Sequence, residues 1–292
     1  DGDAWWRNLE ESLELLDDSR IDFYHCHGLQ WGQWTGDMAK AGGAKEMTQK
    51  ALDEGLIRHR VFSSHDKPGN IMKLIETGEF DGMLVQYNLL DRANEEAIAL
   101  AAERGMGVFV MGPVGGGRLA GYSDEIRSLI PGGDQESRMP GLALRFVLSN
   151  RNVTCALSGM RQISEVDENV DTVSSLSLLS DAEWNSVSEA LDRLKKHAEL
   201  YCTGCNYCMP CPHGVNIPRN FTLMNYYRVY GLQDVARERY LNQPEAFAED
   251  DTQRRPRLRA SACTECGACL DKCPQNIAII DQLKEVDRVL GA

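Results

Sequence analysis

The sequence has no long apolar run. Nothing in its 292 residues reads as a secretory signal or a membrane-spanning stretch, so a reducing, cytoplasmic compartment without membrane insertion is expected. Positive charge is also scarce: 31 Lys and Arg stand against 44 Asp and Glu, for a net charge of -13. Nucleic acid and anionic membrane both bind through clustered Lys and Arg, so neither is expected as a partner. From residue 201 onward 11 basic residues balance 11 acidic ones, which assigns the acidic surplus to residues 1–200. One basic patch remains, Arg254, Arg255, Arg257 and Arg259. It reads as a solvated or charge-balancing face, with docking of an acidic redox partner as the sharper alternative.

Cysteine is where the chain is rich. Eight of its ten cysteines fall in two clusters, Cys202, Cys205, Cys208, Cys211-Pro212 and Cys263, Cys266, Cys269, Cys273-Pro274. Such loops wrap three thiolates around one [4Fe–4S] cube while the Cys-Pro at the end points to a neighbouring cube. On that logic Cys202, Cys205, Cys208 and Cys273 hold one cluster, and Cys263, Cys266, Cys269 and Cys211 hold the other. Disulfides would require a secreted chain. A zinc ribbon needs only two C-x2-C pairs, fewer thiols than are present. The first run has two residues before its last cysteine where the commoner bacterial pattern has three. Cys26 and Cys155 stand apart in apolar segments and read as small core residues.

A chain of this length divides naturally into one large domain and a small appendage. Residues 1–178 alternate strand-like apolar runs (21–27, 57–64, 82–87, 107–111, 153–157) with helical patterns near 38–53, 68–77, 92–104, 140–149 and 164–174. Repeated strand–helix units build a parallel sheet whose covered strands read as continuous apolar runs. Residues 179–200 form a connecting helix, acidic early and basic late. Residues 201–292 form the cysteine domain, whose 51-residue spacer from Pro212 to Ala262 has helical patterns near 219–230 and 233–241. Such a spacer suits a helical dicluster domain.

The first strand carries His25 and His27 on one face and Cys26 on the other. A catalytic histidine, an H-x-H metal pair of a metal-dependent hydrolase and an inert buried histidine are all open readings. Only His65 and Asp66 could add ligands to a metal pair. The run of segments N8-L-E-E-S-L13, I21-D-F-Y-H-C-H27, G55-L-I-R58, V85-Q-Y-N-L-L-D91, G112-P-V-G-G-G-R-L119, S158-G-M-R161 and Glu168-Asn169 resembles the aldo-keto reductase family over roughly residues 5–175. Continued through the cysteine motifs and the Pro212–Pro218 segment, the chain resembles the subfamily fused to a ferredoxin-type domain.

That resemblance implies an α/β fold, a (β/α)8 TIM barrel followed by a small, mainly α-helical dicluster domain, and a nicotinamide-dependent oxidoreductase acting on a small carbonyl or alcohol. It implies that His27 orients the substrate carbonyl. Ser63 and Ser64 would hold the nicotinamide amide, and Tyr87 would stack on its ring. The loop with Pro113, Gly115, Gly116, Gly117, Arg118 and Leu119 would cover the pyrophosphate, while Arg161 and Asn169 would meet the adenosine end. Three consecutive glycines independently suit close approach of backbone N–H groups to an anion. The expected cofactors are two [4Fe–4S] clusters and NAD(H) or NADP(H), with a redox protein as partner.

Departures from the family pattern are equally specific. Leu84 stands where a glutamine is usual, Ser64 replaces an asparagine, and Met160 replaces a small hydroxyl residue. Glu165 replaces a residue that stabilises a 2′-phosphate, which favours NAD(H). The family's catalytic Asp, Tyr and Lys lie on its first three strands, N-terminal to the matched region. Tyr24, on the fourth, does not replace that tyrosine. A preceding segment of about 90 residues is therefore expected. No flavin motif is present to split a hydride into single electrons, and a non-catalytic electron-relay or assembly subunit with a degenerate barrel is the alternative reading.

Overall fold

The computed structural model describes residues 1–133, 138–175, 178–199, 202, 206–248, 255–273 and 277–292. The chain packs as two compact units, Asp1–Gly116 with Ala143–Leu178, and Gly117–Leu142 with Leu179–Ala292.

In the first unit strands and helices alternate as the apolar pattern requires: α1 (Gly2–Leu16), β1 (Ile21–Cys26), α2 (Trp31–Thr35), α3 (Ala44–Asp53), β2 (Ile57–Ser64), α4 (Pro68–Glu76), β3 (Gly82–Gln86), α5 (Glu95–Glu103) and β4 (Gly107–Met111). After β4 come α6 (Asp124–Leu129), which belongs to the second unit, then α7 (Met139–Ser149), β5 (Cys155–Leu157) and α8 (Ile163–Ser174). The helix expected over 38–53 begins only at Ala44. Gly42 takes φ 69°, and a β-carbon on Gly43 would stand 2.5 Å from the Met38 carbonyl oxygen. The strand expected from Val153 starts at Cys155.

All five strands pair in parallel in the order β1-β2-β3-β4-β5. Residues paired across the ladder share a face. Cys26, Phe62, Met83 and Val108 form one row across the covered face. There Phe62 packs on Phe80 at 4.9 Å and Phe80 on Trp34 at 4.8 Å. Phe62 and Trp34 are fully buried, and cutting either to Ala would cost about 3–5 kcal/mol. Trp34 is thus a core residue. Arg60 is buried in the same layer, donating to the Glu79 carbonyl at 2.6 Å and to Thr48 Oγ1 at 3.1 Å, with its guanidinium 5.5 Å from the Trp34 and Phe80 ring centres. Those partners replace the water it loses.

The opposite face is a trough. Phe23 on β1 meets Phe109 on β4 at 5.9 Å although β2 and β3 lie between them. Only a strongly curled sheet brings those rings together. Gly82 permits the curl, because a β-carbon there would stand 2.9 Å from the Gly107 carbonyl oxygen. This is the curvature of a barrel-type sheet, five strands of which are present among the described residues.

The second unit is helical: α9 (Asp181–Glu199), α10 (Ile217–Arg228), α11 (Gln233–Leu241) and α12 (Ile279–Leu290). The helix expected from residue 219 starts at Ile217, because Asn216 caps it by accepting from the Arg219 N–H at 3.2 Å and Pro218 suits its first turn. α10 packs against α11 and α12, and Tyr240 donates to Asp287 at 2.5 Å. The segment after Gly117 is built into this unit: Leu119 and Ile126 are fully buried, and Ser123 donates to the Tyr230 carbonyl at 2.6 Å.

Candidate redox site

Cys211, Cys263, Cys266 and Cys269 stand around a single cavity of about 310 Å³, open mouth included, in the second unit. These are the four thiols that the crossed reading of the motifs assigns to one cube. Two features of the backbone bring them round. Glu265 adopts a left-handed conformation (φ 59°) and Gly267 another (φ 76°), so the chain from Cys263 to Cys269 curls back on itself. Glu265 is also tied to α12 through Lys284 at 2.8 Å. Pro212, Ile217, Ala268, Ile280 and Leu283 supply apolar walls.

Burial raises the Cys269 thiol above its ordinary range, and the nearby Cys263, Cys211 and Cys266 raise it further. Four thiolates at that spacing repel one another unless a cationic group sits between them. Among the described residues no three His, Cys, Asp or Glu side chains are close enough to hold a single metal ion. Thiols spread around a cavity suit a four-iron cube better than one tetrahedral zinc, so these residues fit the cluster. Of the other set, Cys202, Cys208 and Cys273 are half-buried, and Cys205 lies outside the described residues. Asn206, the residue after Cys205, is left-handed (φ 64°), as is Gly267 at the matching place after Cys266 (φ 76°).

In the first unit His27, Ser63, Ser64, Tyr87, Pro113, Gly115 and Gly116 stand at or just beyond the carboxyl ends of β1 to β4, and Arg161 beyond β5, with two corrections to their expected roles; Gly117, Arg118 and Leu119 belong to the second unit. His27 is exposed in the turn that follows β1. Below it His25 points into the trough, its ring 5.7 Å from Phe109 and its buried Nδ1 without a hydrogen-bond partner. Burial holds the His25 imidazole below its usual pKa, so it stays neutral. No third ligand joins the two histidines among the described residues.

The first correction concerns the serines. Ser63 Oγ accepts from the Gly28 N–H at 2.9 Å, and Ser64 Oγ donates to the Leu29 carbonyl at 2.7 Å while accepting from the Asp66 N–H at 3.1 Å. Ser64 is fully buried. It faces the helices, because it follows Phe62 and pairs with Val85. The pair clamps the His27 turn onto β2, and Ser64 does not reach the trough where a nicotinamide would lie.

The second correction is Tyr87. Its ring is fully buried on the covered side, packed on Phe146 at 5.8 Å, with its hydroxyl 2.8 Å from Glu95 Oε1. Burial and then the Glu95 charge keep the phenol protonated. No cofactor ring can stack on it there.

Two residues that sequence reasoning did not single out occupy the trough instead. Gln86 and Met111 pair in register at the ends of β3 and β4. The Gln86 amide lies over Gly112, where a β-carbon would be 2.7 Å from Nε2. Period-two alternation from Leu84 would have flagged Gln86.

Gly115, Gly116 and Gly117 all take positive φ (62°, 62° and 82°), the conformation that an anion-approaching loop needs. Pro113 and Leu119 are buried and anchor its two ends, and the Gly115 N–H closes a turn on the Gly112 carbonyl at 2.8 Å. At β5, Asn169 donates to Ser158 at 3.2 Å, and Arg161 is exposed. Glu165 reaches back to the Arg161 N–H at 2.6 Å and forms a capping box with Gln162. Those bonds hold its carboxyl below the usual range. A fixed negative charge therefore stands at the start of α8, next to Arg161.

Comparison with known proteins places this geometry. A model of the aldo/keto reductase family matches residues 5–192, and the chain belongs to that family. A 4Fe-4S dicluster domain matches residues 201–278. The chain is 27% identical over 203 residues to L-galactose dehydrogenase of Arabidopsis thaliana, and 26% identical over 214 residues to an NADH-specific methylglyoxal reductase of Escherichia coli. It spans 63% of the length of each of these relatives, which cover 63% and 62% of the chain. Among solved structures, the aldo-keto reductase AKR11C1 from Bacillus halodurans aligns with a TM-score of 0.53 at 25% identity, over 65% of this chain and 67% of that one. No helix among the described residues is long and apolar enough to cross a membrane.

Proposed function

We propose that the protein is an iron–sulfur oxidoreductase that moves a hydride between a nicotinamide cofactor and a small carbonyl or alcohol, and exchanges electrons with a partner redox protein through two [4Fe–4S] clusters. The observation that carries this reading is the gathering of Cys211, Cys263, Cys266 and Cys269 around one cavity in a chain of a reductase family. When bound, the nicotinamide supplies two-electron chemistry and each cube single-electron steps. His27 would donate a hydrogen bond to the substrate carbonyl, held in place by the Ser63 and Ser64 clamp on its turn. Gln86 and Met111 would line the cofactor's place in the trough. The Glu165 carboxylate would repel a 2′-phosphate, which favours NAD(H) over NADP(H); the similar protein from Escherichia coli is described as NADH-specific.

The burial of Ser64 and Tyr87 favours a second reading, a relay subunit whose barrel no longer binds a nicotinamide. Equilibrium binding of NADH to the cluster-loaded protein separates the two. Saturable binding in the micromolar range supports the reductase, and no binding at about 1 mM leaves the relay.

A further inference from the structure

The loop that supplies three thiols to one cavity carries an ion pair at its edge. Glu265 follows Thr264 between Cys263 and Cys266, and its carboxylate accepts from Lys284 Nζ at 2.8 Å. Lys284 lies on α12, whose Ile280 and Leu283 wall the same cavity, so the helix packed against the thiols also supplies the cation. Both side chains are 56% exposed, and an exposed pair adds little to the stability of a fold. The hydrogen bond to Glu265 is the main cause that holds the Lys284 ammonium above its ordinary range; burial opposes it, while the charges of Glu265, Asp281 and Cys263 add to the rise.

A cube gains one negative charge when it takes up an electron, so fixed charges beside it change the free energy of that step. A carboxylate opposes reduction, and an ammonium favours it. Glu265 is bonded directly to the ligand residue Cys266, so the loop places a negative charge close to an anionic group. We propose that Glu265 and Lys284 are redox-tuning residues, a charge pair that sets the reduction potential of the cube held by Cys211, Cys263, Cys266 and Cys269. Lys284 offsets the carboxylate that the loop itself carries, and so keeps this cube easier to reduce than its own loop would make it. This role rests on the reading of those four cysteines as one cluster site.

An anaerobic redox titration of the cluster-loaded protein, followed by EPR, reads the midpoint potential of each cube. Lys284→Gln should lower one midpoint and Glu265→Gln should raise the same one, each by a severalfold change in the reduction constant; a tenfold change is about 59 mV for one electron. The double variant should return close to the parent, and Lys284→Arg should match the parent. Higher ionic strength should shrink both shifts, because charges this exposed are screened. A pair that only braces the loop gives a different pattern: both single substitutions move the midpoint the same way, and the double variant does not restore it. That pattern, or midpoints unmoved by either substitution in protein that carries about eight irons, would overturn the proposal. Protein that assembles no cube at these cysteines would overturn the cluster reading itself, and this role with it.

Discussion

Cys211, which closes the first cysteine motif, lines the same cavity as Cys263, which opens the second. The two motifs are therefore not two independent clusters in sequence. On the proposed assignment Cys211 would complete the cube of the second motif, and Cys273 would complete that of the first. Two cubes hold about eight irons, and Cys211→Ala should leave about four. Cys211→Ala combined with Cys266→Ala should also leave about four, because both residues serve one cube. Iron and sulfide analysis decides it: a double variant with no iron would show that the pair serves different cubes.

Ser64 is a structural clamp. Replacing it with Ala leaves the buried Leu29 carbonyl and Asp66 N–H without their partner, at a cost of about 1–3 kcal/mol in urea unfolding. Nicotinamide affinity should fall little. A variant of unchanged stability that binds NADH far more weakly would return Ser64 to the cofactor.

Tyr87→Phe follows the same logic on the next strand. The hydroxyl bridges Glu95 and Asn150 inside the covered layer, so its loss should destabilise by about 1–2 kcal/mol and leave the dissociation constant for NADH unchanged.

Glu165→Gln removes the charge at the start of α8 but keeps a capping side chain. The affinity for NADPH relative to NADH should rise severalfold, measured by fluorescence titration of both nucleotides. An unchanged ratio would mean that the adenosine end lies elsewhere.

Alkaline stability should carry the signature of Cys26. Burial pushes its thiol from 9.0 up to about 11, against a smaller pull from Arg60. The unfolded chain loses the proton first, so the contribution is full below pH 9 and declines as pH rises through 11. Its size is about 3 kcal/mol. Cys26→Ala should flatten the fall in unfolding free energy between pH 8 and pH 11; a parallel fall in both proteins would place the loss in other groups.

The strands were legible because a covered parallel sheet needs continuous apolar runs, and the thiols around the cavity because ligand spacing is local. Which way a strand residue points was harder to see. Both faces of this sheet carry apolar side chains, Phe23 and Phe109 in the trough and Phe62 and Val108 beneath the helices, so hydrophobicity does not mark the cofactor side. Tyr87 and Ser64 were misplaced for that reason, and Gln86 was overlooked. The packing of residues 117–142 with the helical unit depends on contacts such as Ser123 with Tyr230, which are distant in sequence and leave no periodic trace.

The most direct test of the account is an anaerobic titration of the cluster-loaded protein with NADH and then NADPH, following the broad visible absorbance and the EPR signal of reduced cubes. The account predicts reduction of the clusters by NADH, with NADPH less effective. Clusters that dithionite reduces but neither nucleotide touches would contradict it.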